Sequence, residues 1–137
     1  MWWIYALLSA LFASLTAIFS KIGIAGVNSN LATAIRTIVI LIVAWAIVFA
    51  RGETKQLSAL SKHSLLFLVI SGVATGLSWI FYFKALQLGK VSQVAPVDKL
   101  SVALTIVLSM IFLHEAVSLK MAIGAALIVA GTIVLIY

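Results

Sequence analysis

Chemistry in this chain has few candidates, and they share one trait: they are charges set into apolar surroundings. Arg36 lies within the run SNLATAIRTIVI, Lys84 within FYFKALQLG, and Asp98 and Lys99 within VAPVDKLSV, while Lys21 closes the apolar stretch before it. A charge in such a setting is rare and marks a functional site by default. Arg36 keeps its proton at any accessible pH, so something must compensate it. Asp98 is the one carboxylate inside an apolar run, which makes an Arg36–Asp98 coupling, direct or through a bound solute, the first expectation. Asp98 has a second reading, since an acid in the first turn of a helix is stabilised by the macrodipole alone. The lysines have one too: Lys21, Lys84 and Lys99 have stems long enough to carry their charges out to a polar surface.

Hydroxyls supply the rest of the polar chemistry. Ser9, Thr16 and Ser20 form one set, Ser71, Thr75, Ser78 and Tyr82 a second, and Asp98, Ser101, Thr105 and Ser109 a third. Steps of three, four and seven keep each set on one face of a 3.6-residue helix. Unpaired polar groups are costly in hydrocarbon, so these faces are expected to turn toward other helices or a wet cavity. Taken singly, each hydroxyl could equally bond back to its own helix.

Catalytic machinery is not apparent. His63 and His114 fall in polar connections without metal-ligand spacing, as do Glu53 and Glu115, and there is no cysteine. Nothing resembles a nucleophile–base set or a phosphate loop, so neither an enzyme nor a metal or cofactor is expected.

The elements that position these residues follow from composition. The 137 residues are 65% hydrophobic and 9% charged, with a mean hydropathy of +1.30. Soluble domains are about 45–50% apolar and about 25% charged. A water-soluble fold of this size could not cover so much apolar surface. The chain is therefore expected to be an all-α integral membrane protein, a single domain of five spans over about 2–20, 31–50, 64–88, 94–113 and 119–137, since about 20 apolar residues cross a bilayer. Trp2, Trp3, Tyr5 and Tyr137 suit the headgroup level. Ser29 or Asn30 is placed to cap the second span, and Pro96 falls in the first turn of the fourth. From Asn30, Arg36 lies about 9 Å inside.

The net charge of +6 is scattered rather than clustered, which argues against nucleic acid. Loop lysines and arginines number four on the N-terminal side (Arg51, Lys55, Lys62, Lys120) against two on the other (Lys21, Lys90), favouring a cytoplasmic N-terminus. Counting Arg36, Lys84 and Lys99 makes it four against five, so insertion in both orientations stays open.

Two small-residue patterns read as packing surfaces. Gly72-Val-Ala-Thr-Gly76 is a small-xxx-small motif, expected to pack within the subunit. Gly124 and Gly131 share a face of the fifth span and are the first choice for a dimer seam; glycines merely tolerated toward lipid are the alternative.

The stretch SWIFYFKALQLGKVSQVAPVDKLSVALTIVLSMIFLHEAVSLKMAIGAALIVAGTIVLIY (78–137) resembles the second part of an EamA domain of the drug/metabolite transporter superfamily. Its pieces are FYFKALQLG leading into VAPVDKLSV, a hydrophobic run into Leu113-His114-Glu115, and IGAALIVAGTIVL. SNLATAIRTIVI (29–40) is similar to the family's second helix, with an Arg near its start. His114 departs from the pattern, standing where many members have Gly.

The resemblance implies one EamA-type repeat; longer relatives carry two, as inverted repeats of ten helices, and move small metabolites. A tandem copy with an odd number of spans enters the membrane upside down. It also echoes the dimeric small multidrug resistance proteins, whose last helix carries a glycine-spaced association face as Gly124 and Gly131 do here. The expected function is a secondary transporter or exporter of a small metabolite or drug-like solute, working by alternating access as a homodimer in the inner cell membrane, parallel or antiparallel. The alternative is a non-transporting subunit or lipid-handling partner whose basic layer holds anionic headgroups.

Overall fold

The structure is a computed structural model describing residues 1–137. Its elements are helical throughout: α1 (Trp2–Gly23), α2 (Ser29–Ala50), a 3-10 stretch (Glu53–Ala59), α3 (Lys62–Leu88), α4 (Val91–Asp98), α5 (Leu100–Phe112) and α6 (Leu119–Ile136). Five spans are long and apolar enough to cross a membrane, with α4 and α5 together forming the fourth. Helices satisfy their own backbone groups, which hydrocarbon cannot do for them. At about 1.5 Å per residue, α1 and α2 reach about 33 Å and α3 about 40 Å, enough for a core about 30 Å thick. Apolar side chains such as Leu11, Ile38, Ile42, Phe67 and Val134 are exposed along these helices, where acyl chains rather than water can cover them.

The chain divides into two compact units, Phe19–Gln87 and the pairing of Met1–Ile18 with Leu88–Tyr137. In the first, the end of α1 turns into α2 through Gly26, whose φ of +75° is open to glycine at little cost. The cap of α2 is Asn28, one residue before Ser29 and two before Asn30. Its side-chain oxygen accepts from the backbone N–H of Asn30 at 2.9 Å and of Leu31 at 3.3 Å. Ser29 and Asn30 are chemically adequate caps, but the turn delivers Asn28 in the extended conformation a cap needs. After α2, Gly52 in the left-handed region turns the chain into the 3-10 stretch. The polar connection between the second and third spans is thus partly helical. Arg51 and Glu53 pair across its start at 3.1 Å. Ser61 then accepts from the N–H of Ser64 to open α3.

In the second unit, α6 packs on α4 and α5. Ser118 caps α6, accepting from the N–H of Met121 at 3.3 Å. The fourth span departs from expectation. It begins at Val91, so Pro96 is its sixth residue rather than part of its first turn. The ring removes one donor and crowds the carbonyl four residues back. Three residues later the helix tightens: the N–H of Lys99 reaches the carbonyls of Ala95 and Pro96 at 3.3 and 3.1 Å, and that of Val102 reaches the carbonyl of Lys99 at 3.0 Å. The span is broken at Lys99 into α4 and α5. Thr132 of α6 is 4% exposed and donates to its own Ile128 carbonyl at 2.8 Å and to that of Pro96 at 3.3 Å. A neighbouring hydroxyl thereby takes up a carbonyl at a proline-disturbed turn, as lipid requires.

Candidate functional site

Arg36 is the best-defined charge in the membrane-spanning part. With the cap at Asn28 it lies eight residues on, about 12 Å along the axis, deeper than the sequence implied. Its guanidinium carbon is 4.3 Å from the centroid of the Trp79 ring and 5.3 Å from that of Phe83, both on α3. Both distances lie inside the roughly 6 Å range of a cation–π contact. Trp79 and Phe83 are four residues apart, hence one above the other on α3, and Phe83 is 2% exposed. The partners that Arg36 has within its own unit are thus two electron-rich ring faces, which a count of carboxylates leaves out.

In the same unit Ile24, Phe83 and Leu86 are buried, as are Ser20, Ser29 and Thr33. Gln87 donates from Nε2 to the carbonyl of Val27 at 2.6 Å, tying α3 to the turn before α2. Lys21 donates from Nζ to the carbonyl of Leu86. This corrects the snorkelling expected of Lys21: it caps the C-terminal end of α3, where a cation is favoured. Lys84 is exposed, as a snorkelling side chain should be. Lys21, Ile24, Ala25, Gly26 and Gln87 line an open recess of about 320 Å³ that contains none of the expected solute-site residues.

The expected polar faces divide between the units. Ser20, Ser71, Thr75, Ser78 and Tyr82 belong with Arg36; Ser9, Thr16, Asp98, Ser101, Thr105 and Ser109 belong to the other unit. Several hydroxyls bond back to their own helix. Thr75 donates to Ser71 at 2.9 Å, Thr105 to Ser101 at 2.7 Å and Ser109 to Ile106 at 3.0 Å. Thr33 and Thr37 do the same on α2. Asp98 is half-buried at the end of α4, and its carboxylate accepts from Lys99 Nζ at 3.2 Å. It is not a first-turn acid, because the helix starts seven residues earlier. The macrodipole reading of Asp98 therefore does not apply to α4.

The helix glycines also need revision. A Cβ added at Gly72, Gly76, Gly124 or Gly131 would meet nothing within 4 Å. Gly72 and Gly76 thus make no close backbone approach within their own unit. Residues that sequence reasoning missed are Trp79, Phe83, Gln87 and Thr132. The spacing of Trp79, Phe83 and Gln87, two successive steps of four, was the available signal for the first three.

Five membrane-length helices, one of them carrying an arginine stacked on aromatic rings, define a multi-pass membrane protein. Comparison with known proteins gives the class a family. The EamA-like transporter family matches residues 1–137. An uncharacterized transporter in the cobO 3' region of a Sinorhizobium species is 48% identical over 134 residues, covering 98% of this chain and 95% of the relative. An uncharacterized protein of Methanocaldococcus jannaschii is 33% identical over 81 residues, covering 59% of each. No solved structure matches. The chain belongs to the EamA-like transporter family, a family of membrane transporters.

Proposed function

We propose that the protein is a secondary transporter that moves a small metabolite or drug-like solute by alternating access, as a homodimer in the inner cell membrane. The observation that carries this reading is Arg36. A permanent charge about 12 Å into a span, held by rings rather than by an ion pair, has no role in anchoring the helix to lipid. The similarity to a transporter over 98% of the chain supports the same reading.

In this proposal Arg36, with Ser71, Thr75, Ser78 and Tyr82 of its own unit, and Asp98, with Ser9, Thr16, Ser101 and Thr105 of the other unit, are the groups that engage the solute during passage. Hydroxyls that bond back to their own carbonyls have spent their one donor and keep acceptor lone pairs, so such a lining suits a solute that also carries hydrogen-bond donors. Dimerisation through the Gly124–Gly131 face of α6 would bring ten helices together. Either orientation of the partner is compatible with the nearly balanced charge of the two sides.

Purified chain in detergent is screened against metabolites by thermal shift, and stabilising solutes are then assayed for uptake into proteoliposomes containing this chain alone. Saturable uptake is expected. Stabilisation without uptake of any such solute would instead mark a binding subunit or lipid-handling partner.

A further inference from the structure

We propose that Arg36, seated over Trp79 and beside Phe83, is a receptor for an oxyanion, a carboxylate or phosphate group, and that the solute carries one. This rests on the transport reading above for the word solute, but the receptor itself rests on geometry. A cation–π contact engages the face of a guanidinium or the rim nearest the ring and leaves donors at its edge. Neither ion pair of the chain involves Arg36, since Arg51 pairs with Glu53 and Lys99 with Asp98. The hydroxyls flanking it on α2 are committed elsewhere, Thr33 donating to the Ser29 carbonyl and Thr37 to that of Thr33. Arg36 is therefore the strong donor available at this depth. Its fork of N–H groups matches the two oxygens of a carboxylate or phosphate, an arrangement that a lysine cannot reproduce.

The rings do a second job. They hold the guanidinium without neutralising it, so the net positive charge remains for a ligand. Lys84 on α3 adds to the same sign, and no acid is among the residues of Phe19–Gln87 except Glu53, which Arg51 holds. A cationic solute has nothing to gain from this unit. Phosphate chemistry can come from a free solute or from a lipid headgroup, and the test separates the two.

Trp79 is itself the reporter. With Trp2, Trp3 and Trp45 changed to Phe, Trp79 is the sole tryptophan of the full chain. This chain is reconstituted in phosphatidylcholine vesicles and titrated with inorganic phosphate, succinate and the neutral analogue succinamide. The expected result is a saturable change in Trp79 emission with phosphate or succinate and none with succinamide. Arg36→Lys should weaken that response by about tenfold or more, because one of two charge-assisted hydrogen bonds is lost. Arg36→Gln should abolish it. Circular dichroism checks folding, and Arg36→Lys, which keeps the cation, serves if Arg36→Gln does not fold.

A change that follows added phosphatidylglycerol and ignores the soluble anions would keep the receptor and overturn its assignment to the solute. No response to phosphate, succinate or phosphatidylglycerol, or equal responses in both Arg36 variants and the parent, overturns the receptor. Flux in the same vesicles distinguishes this from the transport reading. Anion binding without flux of any solute, charged or neutral, would refute transport and leave the receptor standing. Flux of a neutral or cationic solute undiminished by Arg36→Gln would refute the receptor and leave transport standing.

Discussion

The guanidinium carbon of Arg36 on α2 lies 4.3 Å from the centre of the Trp79 ring on α3, so a charge and a ring join two helices within one unit. Because the guanidinium is half-buried, this contact should be worth more than one in water, about 1–2 kcal/mol. A double-mutant cycle with Arg36→Gln and Trp79→Leu, read from unfolding in mixed micelles, should return a coupling of about that size. Additive effects, with no coupling, would mean that the two side chains are neighbours without an interaction.

At the other end of α5, His114 is the one residue other than glycine with a positive φ, +54°. Histidine tolerates this region better than most residues, yet a Cβ there still costs about 1 kcal/mol. Behind it the N–H of Glu115 turns back to the Ser109 carbonyl at 3.3 Å, closing the helix end. Gly, free of the Cβ, fits the same turn. His114→Gly should be neutral or stabilising, while His114→Val should destabilise by about 1–2 kcal/mol, since a β-branched residue is a true outlier at positive φ. Thermal unfolding of the two variants in one detergent measures the difference; equal midpoints would contradict this account of the turn.

Much of the fold was legible because the bilayer leaves few options. Apolar runs of span length, punctuated by the turn at 21–30 and by the polar stretch after Ala50, read as helices and their connections. What escaped depended on knowing which ends meet. Lys21 looked like a snorkelling lysine because nothing in its own helix says that the last turn of α3 lies beside it. Arg36 was matched to Asp98 by counting carboxylates, a count that leaves out ring faces. The break at Lys99 was hidden because the polar residues Ser92 and Gln93 read as a connection, whereas they are helical and push Pro96 past the first turn. The hydroxyl stripes were visible, but periodicity alone cannot say whether a threonine bonds to its own helix, as Thr75 and Thr105 do.

Thr132 joins α6 to the disturbed turn of α4 by a hydrogen bond to the Pro96 carbonyl at 3.3 Å. Interhelical bonds of this kind average about 0.6 kcal/mol in membranes and reach about 1.7. Thr132→Val keeps the shape and removes the donor, and should cost an amount in that range. Thr132→Ser should recover most of it. If both variants unfold like the parent, the hydroxyl contributes nothing to joining the helices.

Gly131 separates association from folding. A Cβ there meets nothing within 4 Å in the protomer, so Gly131→Leu should leave the subunit fold intact. If the α6 face is the dimer seam, the same change should shift the protein toward monomer in mild detergent, as seen by light scattering at fixed concentration. An unchanged dimer would move the seam elsewhere, and a wild type that transports as a monomer would remove the need for one.

The central claim is that transport runs through Arg36, and matched proteoliposomes test it most directly. Uptake of a stabilising solute is compared between the wild type, Arg36→Gln, Asp98→Asn and Lys84→Gln at equal reconstituted protein. Lys84 is exposed and Arg36 is held against two rings, so the two basic residues should behave differently. The account predicts that Arg36→Gln reduces uptake at least about a hundredfold, the equivalent of about 2.7 kcal/mol. It also predicts that Asp98→Asn impairs uptake clearly and that Lys84→Gln stays within about twofold of the wild type. Equal, mild effects from all three substitutions would contradict it.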